Sequence, residues 1–448
     1  PFQKGQRVLA MVERWIGEEA FRSGVLDYVA RHAWGNAVGE DLWQALDAAS
    51  GEQVSSVLAS FLEQPGLPLI RVEPEPGGRL RLRQQRFTTF GVELEPQLWV
   101  VPVGLKYETA EGIREHTVVL DGPTASVNLG DDVEWVLPDA DSWGYYRWSV
   151  PDEMMRRLAG DDRQALTERE RIGFLSNAYA LLTAGALGGG DYLALLADYA
   201  EDPEPEVMTN VVDSLGRVRT AFVADDLRQD YAAWVRTSLG PVLDRVGMTG
   251  QAGEDPAIAV LRPRLIRILG LDGRDPEVRR FCDQTARSFM RDPESVDPGV
   301  VGVALQVAAR DGDRSQFDAY RRGIEQNTDP QVRGAYLQAL GSFDDPELQE
   351  EALQYSIDGP LRLQEQQSII RSLPDSDDSR SREFAFLQDN YDTLASRLPP
   401  DFRGYLPYMA MSCSEEQLAE AQEFFGEPDH EFPGTAAALA KVTESTET

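Results

Sequence analysis

Lysine is nearly missing from this chain: Lys4, Lys106 and Lys441 are the three in 448 residues, and arginine supplies the other forty of the 43 basic residues. A GC-rich genome accounts for that bias without any function; salt adaptation and a cleft that attracts amines are sharper readings with less behind them. Acidic residues number 76, and the net charge of −33 excludes an extended phosphate-binding surface, which needs clustered Lys and Arg, so no nucleic-acid partner is expected. Histidine is as scarce as lysine: His32, His116 and His430 are the three, they cannot share a helical turn, and His-Glu-x-x-His is absent. His32 falls late in a helical stretch near Trp34 and reads as structural or solvated; His116 follows Glu115 at a strand start and reads as an exposed sheet position; His430 lies in the loop "EPDHEFPG". No metal site is expected among them. The two cysteines, Cys282 and Cys413, lie far apart and match no metal spacing, so they read as buried thiols of a reduced compartment. No stretch approaches ~18 uninterrupted apolar residues, so no membrane span is expected. No basic segment followed by an apolar run opens the chain, so no signal peptide is visible, although a missing N-terminus would empty that observation of meaning for export. The compartment, cytoplasm or periplasm of a bacterium, stays open.

What is present divides by period. A chain of this length implies roughly two to four domains. Residues 1–66 carry helical patterning: Val8, Leu9, Val12 and Ile16 share one face from residue 4 onward, and Phe21, Val25, Leu26, Val29 and Ala30 continue it. Gly51 separates two further short helices, and Pro65-Gly66 ends the second. Residues 67–150 alternate instead. Leu80 and Leu82 stand between Arg79, Arg81 and Arg83, Gly77-Gly78 reads as a hairpin turn, and "LWVVPVGLKYE", "HTVVLDG" and "VEWVLPD" read as further strands. About seven or eight short strands with turn signals predict a small β-sandwich. Residues 151–448 return to helix. "EDPEPEV" at 201–207, "RDPEVRR" at 274–280, "TDPQVRG" at 328–334 and "DDPELQE" at 344–350 repeat one start signal. Asp accepts from free backbone N–H groups, Pro has no N–H to lose at the first helical position, and an acidic or amide residue follows where the helix dipole favours it. Unevenly spaced repeats of this kind predict a degenerate α-superhelix of HEAT or armadillo type, with "AKVTESTET" as a frayed end.

Chemistry is hard to find in these residues. There is no Gly-x-Ser-x-Gly elbow, and "GALGGGDY" at 185–192 follows a helix rather than a strand, so it reads as an inter-helix loop rather than a phosphate cradle. Carboxylate pairs carry no information in so acidic a chain. Taken alone, the residues describe an acidic multidomain scaffold.

The order of short signatures resembles the M1 family of zinc aminopeptidases. "FQKGQRVLAMVERWIGEEAF" is similar to the family's Tyr-x-Lys-Gly stretch and the helix after it, and "RHAWGNAVGEDLWQALDAASGEQV" to its Gly-Asn-Ala…Asp-Leu-Trp segment. "QPGLPLIRV" and "LRQQRF" resemble the junction and strand that follow, "WVVPV" and "GYYRWSV" later strands, "LTERERIGFLSNAYALLTAGAL" the opening of the C-terminal helical domain, and "CSEEQLAEAQEFF" its tail. The resemblance covers essentially the whole chain and identifies it as the C-terminal half of such an enzyme. It implies that the N-terminal β domain, the Gly-x-Met-Glu-Asn segment that binds the substrate amine, and His-Glu-x-x-His with its distant Glu precede residue 1. Zinc is then a cofactor of that upstream half, not of this chain, and the upstream half and a peptide substrate are the partners.

The resemblance carries one catalytic position into the chain. The family's Tyr two residues before Lys-Gly donates a hydrogen bond to the oxyanion of the tetrahedral intermediate; Lys4-Gly5 sets the register, and Phe2 occupies that position. Phe keeps the ring and loses the donor, and loss of one such donor costs ~10²–10³ in turnover. The plainer reading is a core aromatic ahead of a helix. Arg156, Arg157 and Arg169 are candidates for contacting a peptide carboxylate, each equally readable as a solvated helix position. Three functions follow: a portion of a working zinc aminopeptidase, a pseudoenzyme weakened at Phe2, or a free superhelical binding module. Residues 1–66 speak against the last, since alone they would expose an apolar face.

Overall fold

The helix expected from residue 4 begins at Phe2 and runs to Ile16 (α1), and its buried face is Val8, Met11 and Val12, with Leu9 and Ile16 half-covered. The computed structural model describes residues 2–130, 133–412 and 414–447, so Cys413 lies outside the described residues. It divides into two compact units, Pro1–Tyr199 and Ala200–Thr448.

In the first unit α1 is followed by α2 (Glu18–Arg31), α3 (Gly39–Ser50) and α4 (Val54–Leu62). The buried side chains are Ala45, Leu46, Val54, Val57, Leu58 and Phe61. The apolar face read for α2 is only partly used: Leu26 and Val29 are exposed, and Gly24 is its buried residue. Leu46 of α3 closes on that glycine so tightly that a β-carbon would come within 2.8 Å of Leu46 Cδ2. Gly51, at φ 76°, ends α3 in the left-handed conformation that glycine adopts without strain.

Seven strands follow among the described residues: β1 (Pro68–Glu75), β2 (Arg79–Arg86), β3 (Val101–Thr109), β4 (Gly112–Leu120), β5 (Thr124–Asn128), β6 (Trp135–Leu137) and β7 (Arg147–Ser149). They form a four-stranded sheet in the order β5-β2-β1-β7 and a three-stranded sheet in the order β4-β3-β6. The β1–β2 hairpin turns at Gly77 and Gly78, both at positive φ, with Val72 opposite Leu82. Along β2, Leu80, Leu82 and Gln84 are buried while Arg79, Arg81 and Arg83 are exposed, as period-2 alternation requires. Gln84 is tolerated inside because its amide donates to Trp99 O and Gly122 O, both at 2.8 Å, and accepts from Trp99 N. The unit closes with α5 (Asp152–Ala159), α6 (Glu168–Thr183) and α7 (Gly189–Tyr199).

The second unit is helical: α8 (Pro205–Phe222), α9 (Arg228–Val246), α10 (Pro256–Leu271), α11 (Pro276–Arg291), α12 (Pro298–Arg310), α13 (Arg314–Gln326), α14 (Pro330–Leu340), α15 (Pro346–Asp358), α16 (Leu363–Ile370), α17 (Asp377–Asp389), α18 (Tyr391–Arg397), α19 (Pro400–Arg403), α20 (Glu415–Phe425) and α21 (Thr435–Glu447). Helices two apart pack in succession, α8 on α10, α10 on α12, α12 on α14 and α14 on α16, with α9, α11, α13 and α15 each against a member of that row. The Asp-Pro signals cap helices as read at Asp275, Asp329 and Asp345, each accepting from two backbone N–H groups of the first turn. At 201–207 the reading is displaced. Helix α8 starts at the second proline, Pro205, and Asp202 accepts from Glu204 N in the preceding turn. The structure adds two further starts of the same kind, Asp255-Pro256 and Asp297-Pro298. The expected frayed end is helical to Glu447, because Ala438 and Val442 are buried. Phe317, Tyr320 and Phe343 pack ring to ring at 5.4–5.8 Å in the core beneath α12–α15. Cys282 is buried in α11, and burial pushes its thiol up to about 12.

Candidate functional site

Phe2 is the first residue of α1, and its side chain lies outside the described residues. What the structure defines is how the helix bearing it is held. At its start, Lys4 Nζ donates to Gln64 O at 2.8 Å and to Gly66 O at 3.4 Å, the carbonyls that end α4 and lead into β1. Partial burial lowers the Lys4 pKa. A tetrahedral ammonium suits two converging carbonyls better than a planar guanidinium fork does.

Toward its other end, α1 meets a turn at residues 138–146. Arg14 Nη2 contacts Glu115 Oε2 of β4 at 2.6 Å and Asp141 Oδ2 at 2.9 Å, and Tyr145 N–H points at Met11 Sδ at 3.4 Å. The ion pairs are nearly half exposed and each contributes at most ~1 kcal/mol. The turn itself is built from buried polar groups. Asp139 Oδ1 accepts from Gly144 N at 2.8 Å, and Tyr146 donates to Pro138 O at 2.9 Å while accepting from Gly104 N at 3.3 Å. Burial pushes the Asp139 carboxyl up to about 7, against the opposing pull of the Gly144 N–H and Arg147; burial also raises Tyr146. Asp141 and Ser142 are left-handed at φ 56° and 52°. They hold that conformation because Asp141 N donates to Glu170 Oε1 at 3.1 Å and because α6 presents Gly173, where a β-carbon would lie 2.0 Å from Ser142 Oγ.

Glu170 is fully buried. Lys106 Nζ meets its Oε2 at 2.6 Å and also donates to Ala165 O, while Thr167 N donates to the same carboxylate. The crevice between α1, β3, β4 and the turn, lined by Met11, Arg14, Glu115, His116, Asp139 and Tyr146 among others, holds about 50 Å³. That is room for a water or two and not for a peptide residue. The arrangement therefore acts as a joint that fixes α1 at both ends.

The remaining sequence candidates scatter. Arg157 is tied to Asp162 at 2.7 Å and to Glu134. Arg169 lies 3.6 Å over the Trp143 ring, and Arg156 is exposed. His32 packs against the Tyr28 ring at a tilt and lies 3.8 Å from Asp41; His116 is exposed on β4; His430 Nδ1 contacts Phe424 O at 2.7 Å between the Tyr391 and Phe424 rings. Among the described residues of either unit taken by itself, no three carboxylate, imidazole or thiol ligand atoms converge.

Residues 135–448 match the ERAP1-like C-terminal domain, and residues 1–61 match the Peptidase family M1 domain. The chain belongs to the M1 aminopeptidase family. M1 relatives align along almost all of it. Aminopeptidase 2 of Candida albicans is 24% identical over 440 residues, covering 96% of this chain and 47% of its own length. The alanine/arginine aminopeptidase of Saccharomyces cerevisiae is 26% identical over 404 residues, covering 89% and 46%. Tricorn protease-interacting factor F2 of Thermoplasma acidophilum is 24% identical over 433 residues, covering 94% and 51%. The chain spans about half the length of the curated relatives it matches. It corresponds to the C-terminal portion of the M1 family architecture, mixed α and β with helix predominating. Within this M1 chain, the joint of Arg14, Asp139, Asp141, Lys106 and Glu170 was missed from sequence. One signal was available: a lysine kept inside an apolar strand of a chain that otherwise uses arginine.

Proposed function

We propose that this chain completes a zinc aminopeptidase that removes N-terminal residues from peptides. Zinc and the amine-binding segment are supplied by the upstream half of the same polypeptide, and Phe2 stands at the position of the family's oxyanion-stabilising Tyr. The observation that carries the reading is the register: Lys4-Gly5 opens α1 in a stretch matching the M1 domain, and the joint around α1 fixes that helix at both ends. The proposed organisation is tripartite, with residues 1–66 as the last helices of the catalytic domain, 67–150 as a small β-sandwich and 151–448 as a superhelix of HEAT or armadillo type. Two separate sheets and the succession of helices packed two apart support it. The proposed partners are a peptide substrate and the upstream half, without nucleic acid.

The missing hydroxyl favours a second reading, a pseudoenzyme or peptide-binding module that keeps the family architecture with weakened chemistry. One experiment separates them. In the full-length protein, Phe2→Tyr is expected to raise kcat by ~10²-fold with KM little changed, because the hydroxyl acts on the transition state. Hydrolysis of an aminoacyl-arylamide is the assay. An unchanged kcat removes position 2 from the mechanism, and no turnover by either protein supports the pseudoenzyme. The 448-residue chain by itself is expected to bind no stoichiometric zinc and to hydrolyse nothing.

A further inference from the structure

The C-terminal ends of α8, α10 and α12, and the turns after α14 and α16, carry charged residues that face one another. Arg219 lies in the last turn of α8, Asp272 caps α10, Arg310 lies in the last turn of α12, and Asp344 and Asp375 lie just past α14 and α16. Arg219 Nη2 donates to Asp375 O at 2.8 Å, and Thr220 Oγ1 donates to Asp375 Oδ2 at 2.6 Å, contacts that join residues 156 and 155 positions apart. Arg380 of α17 donates through Nε to Asp375 Oδ1 at 3.1 Å. Arg219 Nε also lies 3.8 Å from Asp272 Oδ1, and Arg310 meets Asp344 at 2.6 Å. Burial would raise the Asp375 carboxyl, but the Thr220 hydroxyl, Arg380 and Arg219 outweigh it and hold the pKa below the usual value.

Distance makes this arrangement informative. Four steps between neighbouring helices at ~8–10 Å each would separate α8 from α16 by roughly 30–40 Å in a straight stack. Hydrogen-bond contact between the end of α8 and the turn after α16 requires the row to curl until the two come together. The Arg219 side chain is 15% exposed and that of Asp375 35%, so the cluster is partly shielded from salt and stronger than a surface pair.

We infer that Arg219, Thr220, Asp375 and Arg380 form a clasp that sets the curvature of the α8–α16 row. It ties the first helix of the row to the turn after the last, and releasing it uncurls the row without melting the helices between. The test uses the whole chain with Arg219→Met and, as the gentler variant, Thr220→Val, compared by small-angle scattering and amide hydrogen exchange. The clasp predicts a larger radius of gyration. It also predicts about tenfold or faster exchange at residues 216–222 and 371–377, as expected from loss of a charge-assisted hydrogen bond, with protection in α11 and α13 retained. Should Arg219→Met fail to fold, Thr220→Val carries the same readout. Unchanged scattering and exchange in a folded variant, or exchange that quickens equally in every helix, would overturn the clasp.

Discussion

Asp139 is a carboxylate folded into a turn where burial strips most of the solvation from its charge, and its place in the joint makes stability depend on its proton. Its folded pKa, about 7, exceeds the unfolded reference of 3.8, so the folded chain binds more protons between those values. The stabilisation is complete below about pH 4 and is lost as pH rises through 7, at up to ~1.4 kcal/mol per pH unit. Asp139→Asn keeps an acceptor for Gly144 N–H and cannot ionise. It is expected to flatten the decline in Tm between pH 4 and 7 and to be the more stable protein at pH 8. An identical pH profile for both proteins would show that Asp139 titrates normally. No pattern in "VLPDADSWGYY" distinguishes Asp139 from Asp141, since one is buried and the other ion-paired at the surface only because α1 and α6 close over the turn from distant stretches of the chain.

At the scale of the element, helix starts in the second unit were legible because they are local. Asp329, Pro330 and the two N–H groups that Asp329 caps lie within four residues, so the chemistry is complete in the sequence. Asp329→Ala is expected to cost ~1 kcal/mol by urea unfolding, and Asp329→Asn much less, since Asn also caps. An equal loss for both would assign the effect to charge at the helix dipole rather than to the hydrogen bond. The exposed face of α2 was not legible, because the 3.6-residue period marks which residues could be buried and not whether a neighbour arrives. There the neighbour, Leu46, arrives on Gly24 instead. Position 2 is the converse case: a four-residue anchor places it, and nothing local says what its ring faces.

At the scale of the molecule, 76 acidic residues against 43 basic ones create self-repulsion that arginine offsets piecemeal. Arg333 grips Glu365 with two parallel contacts of 2.9 Å, and Arg279 reaches Asp311 at 2.9 Å. Lysine could not make the first of these pairs in the same planar geometry. Repulsion over the whole surface outweighs these short pairs, so raising ionic strength from ~0.01 M to ~0.1 M, which shortens the screening length from about 30 Å to about 10 Å, is expected to raise Tm. Scanning fluorimetry across a sodium chloride series checks this. A falling Tm would mean that the arginine pairs and the clasp dominate.

The sequence by itself determined where the period changes, the helix caps at Asp275, Asp329 and Asp345, and the hairpin at Gly77-Gly78. All of these depend on residues within a few positions of one another. The tertiary structure alone decided that Lys106 faces Glu170, that Arg14 joins α1 to β4, and that Arg219 meets Asp375. Each of these pairs joins residues from 64 to 156 positions apart. Their partners are chosen by the packing of whole elements, and a charged residue carries no local mark of which opposite charge the fold will bring to it.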